Sequence, residues 1–494
     1  MATLALQWPR THALSSTKLG GWTLGAFIII FGVIRQFRPA LDPDLNWHLR
    51  TGQLILATGA IPRVDSFSHT MAGAPWVDFE WLYEAALATI YGLGGAAAII
   101  TANAILSGVT GWLVYSTLRT KQVSPILAAL GVGLSIVDLV PYADVRPNMM
   151  GALLVAAFLY VLECAWARRS WRRLLWLLPL QLLWVNVHGS FIQGLALCGL
   201  YGLAALWERL SGDAGPFATV PLKQLALGFA GLMSALAAIC LANPQGLGLV
   251  RFVIGASQLK VNHDFNGEWA APNFHAAYAL PLLATVLLTI VLSICFSRGR
   301  LAKREALLLV AAVAAALTSN QFGPFYAVAA APLAASMLAR VIQRPLDLRP
   351  SLLHGALFGA VLLGMVGISA RSLQPAAYQD ALANAYPVQA VQYIEQHNLQ
   401  GPLWNEFNWG SYLLGALPRL PVFIDGRTEM YGDAFFKQYR DVEEGAVRPE
   451  PTLDTWNINV VLIPVKSPLA TVLREGAAWN EVYDDDQAAI FTRA

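Results

Sequence analysis

The sequence predicts an α-helical polytopic membrane protein with about 11 transmembrane helices and a soluble α/β domain at its C-terminus. Hydrophobic residues make up 56% of the 494 residues, and charged residues make up only 13%. Many apolar runs approach the roughly 20 residues that a helix needs to cross about 30 Å of hydrocarbon. The composition turns polar after about residue 371. The chain is therefore divided into a membrane domain over 1-370 and a soluble domain over 371-494.

The apolar runs place the transmembrane helices in order along the chain. The predicted spans are 21-37, 95-118, 125-141, 148-166, 174-187, 189-208, 225-242, 279-297, 305-319, 324-340 and 351-370. The first run has no small-residue cleavage site, so it is interpreted as a retained span and not as a signal peptide. The amphipathic segment 79-93 is predicted to lie at the membrane surface.

The distribution of lysine and arginine predicts the topology. With the N-terminus inside, the inner segments carry more than twice as many basic residues as the outer loops, as expected for cytoplasmic loops. This inner set includes Arg10, Arg298, Arg300, Arg344 and Arg349. An odd number of spans then places everything after residue 370 outside. The expected location is a bacterial inner membrane, with a cytoplasmic N-terminus and a periplasmic or extracellular C-terminal domain.

The C-terminal domain shows alternating helical and strand patterns. Helices are predicted over Val388 to His397 and Leu469 to Glu475, and buried strands over Pro421 to Ile424, Val460 to Ile463 and Ala488 to Phe491. Such alternation is typical of a small α/β domain.

The first outer loop, 38-94, carries paired carboxylates directly after the first span. Asp42 and Asp44 flank a proline, which disfavours a regular helix at this point. Carboxylates at a membrane boundary are costly to desolvate, so they usually face a cleft, a cation or a substrate. The alternative for Asp42 is a cap of the helix that follows, which carries His48. Further along the loop, Asp78 and Glu80 lie between tryptophans, and Asp78 has the same capping alternative.

Other polar residues cluster at the outer ends of later spans. The second outer turn holds Asp144 and Arg146, which form either a turn salt bridge or an acid and a phosphate-binding arginine. Asn186 and His188 lie between two short spans, where they either bind phosphate or sugar hydroxyls or pack a tight hairpin. The next long outer loop adds Lys260 and Glu268.

Several functional classes lack their motifs. The sequence contains no P-loop, no Gly-rich dinucleotide turn after a strand, no Gly-x-Ser-x-Gly elbow and no zinc-type Cys/His spacing. Nucleotide-driven and serine-hydrolase chemistry therefore have little support, and no nucleic-acid partner is expected. The four cysteines fall in apolar runs and predict packing.

Three motifs resemble uncharacterised bacterial members of the GT-C superfamily of integral membrane glycosyltransferases. They are Asp42 to Leu49, Trp184 to Phe191 and Val422 to Arg427. The long first outer loop and the soluble C-terminal domain match as well. Asn405 to Tyr412 is also similar to the Trp-Trp-Asp-Tyr-Gly element of oligosaccharyltransferases, but lacks its first tryptophan and its aspartate.

The resemblance implies transfer of a sugar from a polyprenyl-phosphate-linked donor to a lipid, glycan or protein acceptor at the outer face. It implies that Asp42 or Asp44 is the catalytic base or a ligand of a divalent cation, Mg²⁺ or Mn²⁺, and that Asp144 assists. An inverting transfer needs a base and positive charge near the departing phosphate. Arg146, Asn186, His188 and Lys260 are the candidates to bind the donor, and His48, Asp78, Glu80 and Glu268 are further substrate-binding candidates. The alternative is a transporter or flippase of lipid-linked glycans, for which paired interrupted helices and mid-span ionisable residues would be expected.

Overall fold

The computed structural model describes residues 16–213, 215–265, 267–296, 301–342 and 351–494. The basic residues Arg10, Arg298, Arg300, Arg344 and Arg349, and the last residue of the predicted span 279-297, lie outside these ranges. The helices of the membrane domain are α1 (Ser16–Ile34), α2 (Leu45–Thr58), α3 (Trp81–Thr120), α4 (Pro125–Leu139), α5 (Pro147–Ala167), α6 (Trp171–Leu174), α7 (Leu177–Val187), α8 (Ile192–Leu210), α9 (Leu222–Ile239), α10 (Leu247–Ala256), α11 (Lys260–Phe265), α12 (Leu280–Phe296), α13 (Lys303–Thr318), α14 (Gly323–Ala329), α15 (Leu333–Val341) and α16 (Leu352–Ser372). The C-terminal part contains α17 (Pro375–Ala385), α18 (Val388–Gln396), β1 (Leu403–Asn405), α19 (Gly410–Ala416), α20 (Thr428–Glu443), α21 (Glu450–Thr455), β2 (Val460–Pro464), α22 (Pro468–Glu475), β3 (Trp479–Asp484) and β4 (Ala488–Arg493).

The polytopic helical class is confirmed. Among the described residues, eight helical segments are long and apolar enough to cross a membrane: Trp81–Thr120, Pro125–Tyr142, Pro147–Ala167, Gly189–Leu210, Leu222–Ala242, Ala277–Cys295, Asn320–Val341 and Leu352–Ser372. The apolar part of α1, Gly20–Ile34, is shorter. Helices α7 and α13 have only 11 and 16 residues, so the count of 11 spans stays a prediction.

Helix α3 is broken where the predicted surface segment meets the predicted span. Gly94 and Gly95 have non-helical backbone angles, and Gly95 has a φ of 59°. Glycine adopts this left-handed region without the steric penalty of a Cβ atom. The break lets the first part of α3 change direction before the chain enters the bundle.

Surface helix α2 packs closely on the first part of α3. Its buried face includes Leu45, His48, Leu49 and Ile55, which recur at helical spacing. A Cβ atom at Gly52 would overlap the backbone carbonyl of Glu84. The absence of a side chain at Gly52 therefore brings His48 and Glu84 within hydrogen-bond reach.

A buried ionic cluster connects the helices at the end of the bundle away from the surface helix α2. The Nζ of Lys121 lies 2.6 Å from Glu305, and the guanidinium of Arg304 lies 3.2 Å from Glu163. The hydroxyl of Tyr201 also donates to Glu163 at 2.8 Å. These pairs join α3, α5, α8 and α13, so charges buried at this end have partners.

The C-terminal domain contains a four-stranded mixed sheet in the order β1-β2-β4-β3. Strand β1 pairs parallel with β2, and β4 pairs antiparallel with both β2 and β3. The predicted strands at Val460 and Ala488 and the predicted helices at Val388 and Leu469 are confirmed as β2, β4, α18 and α22.

The predicted strand over Pro421 to Ile424 is wrong. Its segment is buried and extended, but it forms only an isolated bridge to Ser68 of the first outer loop. The N–H of His69 donates to the carbonyl of Val422 at 3.0 Å, and the hydroxyl of Thr70 donates to the carbonyl of Phe423 at 2.6 Å. The backbone of this segment therefore joins the soluble domain to the membrane domain instead of extending the sheet.

Candidate active site

A large cavity lies where the loop 38-94, one end of the membrane helices and the C-terminal domain meet. Its volume is about 780 Å³. One end is polar and is lined by Asp44, His48, Glu80, Arg146, Asn148, His188, Gln193, Glu268 and Glu429. The other end is apolar and is formed by side chains of α8, α10, α13 and α14, among them Ile192, Ala196, Leu200, Phe252, Ala311, Ala315 and Phe325. The volume falls within the range typical of small-molecule sites.

Arg146 organises the acidic residues at the polar end. It lies just before Pro147, the first residue of α5, where proline is favoured because its fixed φ suits a helix start. Its Nε is 3.2 Å from Oδ2 of Asp42, and its two terminal nitrogens bind Oδ2 of Asp44 and Oε1 of Glu268. Four residues from three distant parts of the sequence thus form one charge cluster.

The two carboxylates of the acidic pair have different environments. Asp44 lines the cavity, whereas Asp42 lies behind it with 4% of its surface exposed. Burial raises the pKa of Asp42 well above its usual range, although Arg146 acts in the opposite direction. Burial alone would lower the pKa of Arg146, but Glu268, Asp42 and Asp44 outweigh it and raise that pKa. The position of Asp44 therefore favours it over Asp42 for direct contact with a substrate.

The acidic pair does not fit a metal in this arrangement. Oδ1 of Asp42 accepts from the N–H of Asp44 at 2.9 Å, and Oδ1 of Asp44 accepts from Nε1 of Trp47 at 3.0 Å. Because Arg146 binds both remaining oxygens, a cation would first have to displace its guanidinium. Among the described residues, no group of three or more His, Cys, Asp or Glu residues is arranged to hold a metal ion. The N-cap residue of α2 is Asp44, and the side chain of Asp42 accepts from the N–H of that residue, not from an N–H of the helix itself.

Asp144 lies beside this cluster and does not line the cavity. Its Oδ1 is 2.7 Å from the guanidinium of Arg38, and both side chains are partly exposed. The predicted partner of Asp144 was Arg146, its neighbour in the same turn. Instead, the extended backbone of Arg146, with a φ of −139°, directs that side chain to the first outer loop.

Two histidines and Glu80 form a second group in the cavity wall. Nε2 of His48 and Nε2 of His188 each lie 3.9 Å from a carboxylate oxygen of Glu80. The other nitrogen of His48 is 3.0 Å from Oε1 of Glu84. Nε2 of His188 is 2.8 Å from Oδ1 of Asn148, which indicates that this nitrogen carries the hydrogen.

Burial controls the ionisation of this second group. It lowers the pKa of His188 to about 3 and that of His48 well below its usual range, in both cases with a further contribution from Arg146. It raises the pKa of Glu80 well above its usual range. Both imidazoles are therefore neutral at physiological pH, and each can donate one hydrogen bond and accept another.

Three residues predicted to bind substrate lie away from the cavity surface. Asn186 accepts from Nε1 of Trp81 at 2.8 Å and donates to the carbonyl of Leu182, so it holds α7 against α3. The backbone of Lys260 donates to Asp433 of α20, and its side chain is exposed. Asp78 is buried behind Glu80, and burial raises its pKa to about 7. Their roles as substrate-binding residues remain predictions.

The C-terminal domain forms one wall of the cavity. Phe407, Asn408, Gly426, Glu429 and Met430 contribute to the lining. A Cβ atom at Gly426 would overlap Oδ1 of Asp44, so the absence of a side chain allows this close approach. The hydroxyl of Ser411 accepts from the backbone N–H of Trp47 at 3.0 Å. This bond holds the first turn of α2 against the C-terminal domain.

Arg427 joins this domain to the first outer loop. Its Nη1 is 2.8 Å from Oδ1 of Asp65, and its Nε is 2.9 Å from Oδ1 of Asp425. Its guanidinium also stacks over the rings of Phe67 and Trp76, at 5.0 and 4.7 Å from their centroids. Cation–π contacts of this kind strengthen when the charge is desolvated.

Sequence reasoning did not select Glu429, Asn148, Gln193 or Glu84 as site residues. Glu429 and Gln193 are single polar residues inside helical segments, and their positions in the chain give no indication that they meet Asp44. Glu84 had a detectable signal, because it lies four residues after Glu80 and so falls on the same helical face. Asn148 follows Arg146 and Pro147 in the turn that was selected.

Comparisons with known proteins place this architecture in a structural class. No family model and no curated protein matches the chain. The oligosaccharyltransferase of Archaeoglobus fulgidus in its apo form is similar, with a TM-score of 0.59 and 12% identity, over 92% of this chain and 70% of that one. ArnT from Cupriavidus metallidurans, solved with bound undecaprenyl phosphate, is similar with a TM-score of 0.53 and 13% identity, over 98% of this chain and 99% of that one. Both are membrane glycosyltransferases of the GT-C superfamily, so the chain has the GT-C fold.

Proposed function

We propose that this protein transfers a sugar from a polyprenyl-phosphate-linked donor to a lipid, glycan or protein acceptor at the outer face of the membrane. The observation that carries the proposal is the cavity with one polar and one apolar end. A donor of this class has an apolar chain, an anionic phosphate and a polar sugar, and its parts match the cavity in that order. The GT-C fold adds support, since the structure of ArnT contains undecaprenyl phosphate.

The apolar end suits a polyprenyl chain. Ile192, Ala196 and Leu200 recur at every fourth residue and so form one face of α8. Ala311 and Ala315 form the facing stripe of α13 in the same way. The three small side chains leave room between the two helices. The chain of the donor is proposed to lie in this groove.

The polar end suits the phosphate and the sugar. Arg146 supplies positive charge for a phosphate whose charge grows as the sugar leaves. The carboxylates Asp44, Glu80 and Glu268 are acceptors for sugar hydroxyls. We propose a direct, inverting displacement in which the acceptor attacks from the side of the C-terminal domain.

The membrane location belongs to the same proposal. The donor headgroup and the C-terminal domain are proposed to lie on the outer side of a bacterial inner membrane, with the N-terminus in the cytoplasm. The basic residues of the predicted inner segments support this orientation.

The experiment uses purified protein in liposomes with radiolabelled polyprenyl-phosphate sugars, nucleotide sugars in parallel, and a membrane-lipid extract as acceptor. Ala196→Trp and Ala311→Trp fill the groove and should abolish turnover of the lipid-linked donor. Leu203→Trp, at an exposed position of the same helix α8, is the matched control and should retain activity. Turnover of nucleotide sugars, or lipid translocation without bond cleavage, would overturn the proposal.

A further inference from the structure

Glu80 is a carboxylate that lines the cavity, and none of the described lysine or arginine residues forms an ion pair with it. Its oxygens lie 3.9 Å from each of two neutral imidazoles, those of His48 and His188. The backbone N–H of Gly189 donates to it. Because Glu80 lines the cavity, its carboxylate is accessible to a substrate bound there.

The acidic pair is less suited to accept a proton. Asp42 and Asp44 each bind the guanidinium of Arg146 through one oxygen and an N–H donor through the other. All four carboxylate oxygens of the pair are therefore already engaged with a donor. Proton removal from an acceptor hydroxyl needs a base with a free lone pair at the cavity surface.

Behind Glu80 lies a buried chain of groups that can hold a proton. His48 lies between Glu80 and Glu84, and its Nδ1 is 3.0 Å from Oε1 of Glu84. Oε2 of Glu84 and Oδ2 of Asp78 are both buried and have no donor among the described residues. One proton between these two carboxyl groups would give both oxygens a hydrogen bond, so the chain ends at a site prepared to hold a proton.

We propose that Glu80 accepts the proton of the attacking acceptor, and that His48, Glu84 and Asp78 form a relay that carries this proton away from the cavity. The inference rests on the proposed glycosyl transfer. It assigns the base of that reaction to Glu80 and leaves Asp42 and Asp44 to position Arg146.

The bonds and charges of the step balance. The acceptor oxygen forms a bond to the anomeric carbon, and the bond from that carbon to the phosphate oxygen breaks. The polyprenyl phosphate leaves with the electron pair. The proton of the acceptor hydroxyl moves to Glu80, which becomes neutral, and His48 can pass a proton on to Glu84. After the products leave, the proton returns through His48 and Glu80 to the cavity, so each turnover releases one proton to solvent and restores the Glu80 carboxylate.

The ionisation of the surroundings agrees with this role. The titratable or charged groups around Glu80 are Asp78 and Glu84 on its own segment, His48 on α2, His188 after α7, Arg146 in the second outer turn and Glu429 on α20. Burial is the main cause that raises the pKa of Glu80, and Asp78 and Glu429 add to it.

The test compares Glu80→Gln with wild type, using the polyprenyl-phosphate sugar that wild type turns over fastest. Glu475→Gln, an exposed position on α22, is the matched control. We expect Glu80→Gln to lower kcat by roughly 100-fold or more, with donor affinity within twofold of wild type. In Glu80→Gln, kcat should no longer fall at acid pH, so the acid limb of its pH profile should disappear. Azide, an anionic nucleophile with no proton to remove, should restore turnover and give a glycosyl azide.

The outcomes separate the two proposals. If wild type turns over no lipid-linked donor, the proposed function fails. If wild type is active and Glu80→Gln stays within threefold of it, loses donor affinity in parallel or gains nothing from azide, the assignment of Glu80 fails alone. Glu80→Asp keeps the carboxylate and should shift the acid limb of the pH profile of kcat. This variant keeps the assignment testable if Glu80→Gln does not fold. His48→Gln, at a positioning residue, should move the acid limb without changing donor affinity, and an unchanged limb would overturn the relay.

Discussion

At the scale of single residues, the acidic cluster at the polar end of the cavity depends on Arg146. Arg146 binds three carboxylates, while the nearby histidines are held neutral by burial. Grouped carboxylates with a single cationic partner are sensitive to loss of that partner, because each then carries an uncompensated charge in a partly desolvated site. Glu429 lines the same cavity, and its ionisation makes the stability of the fold depend on pH.

Replacement of Arg146 by alanine should destabilise the fold. Breaking a buried pair from one side costs roughly 3–5 kcal/mol, and the lower end is expected here because Glu268 is partly exposed. The Tm of Arg146→Ala in detergent should fall clearly. Addition of Glu268→Gln and Asp44→Asn should recover part of the loss. Lys437→Ala, which removes an exposed i,i+4 pair, is the control and should have a near-zero effect. An unchanged Tm in Arg146→Ala would contradict the cluster.

Glu429→Gln should change how stability depends on pH. Burial raises the pKa of Glu429 to about 7, with Asp44 and Glu268 adding to the shift. A carboxyl whose pKa is higher in the folded state contributes most below its unfolded value, near 4.5, and this contribution is lost as the pH rises towards 7. Glutamine cannot ionise, so the variant should be more stable than wild type at pH 8 and similar to it at pH 4.5. Melting curves of both proteins between pH 4.5 and 8 test this prediction. A difference in Tm that stays the same across this range would contradict it.

At the scale of elements, the predicted strand over Pro421 to Ile424 shows how an apolar pattern can predict burial correctly and pairing wrongly. Its residues after Pro421 are buried as a strand would be, but its hydrogen bonds go to the first outer loop and to the side chain of Asn405. Gly426 follows at the point where this segment passes Asp44. The segment thus brings the soluble domain into contact with the acidic pair.

Gly426→Ala should therefore impair activity more than stability. The added methyl group meets Oδ1 of Asp44, which is held by Trp47 and, through its other oxygen, by Arg146. We expect turnover to fall about tenfold or more, since a displacement of about 1 Å in a catalytic group can reduce rates strongly. Gly199→Ala on α8 is the control, because its added methyl group meets open space. Equal activities of the two variants would argue against a positioning role for this contact.

At the scale of the whole molecule, the C-terminal domain completes the site of the membrane domain. The pairs from Arg427 to Asp65 and from Ser411 to Trp47 hold the two parts together around the cavity. The membrane orientation then decides on which side of the bilayer the cavity opens. This orientation is still a prediction and can be tested directly.

Cysteine labelling should place the C-terminal domain outside. In a background with Cys164, Cys198, Cys240 and Cys295 replaced by serine, Glu475→Cys should react with an impermeant maleimide in intact spheroplasts. Arg168→Cys, at the exposed end of α5, should react only after the membrane is opened. The reverse pattern would invert the topology and exclude a donor on the outer face.

The amino-acid pattern was enough to predict the polytopic helical class, the positions of most helices and the α/β character of the tail. It was also enough to select the cavity-lining residues Asp44, His48, Glu80, Arg146, His188 and Glu268. These features follow from apolar run lengths, helical periodicity and charges placed next to spans, all of which are local in the chain. Only the tertiary structure decided the partners. It paired Arg146 with three carboxylates, Asp144 with Arg38, and the segment after Val422 with the first outer loop. It also brought Glu429 of the C-terminal domain to the cavity of the membrane domain. Such contacts join residues hundreds of positions apart, and their geometry depends on how the helices pack, which no local pattern encodes.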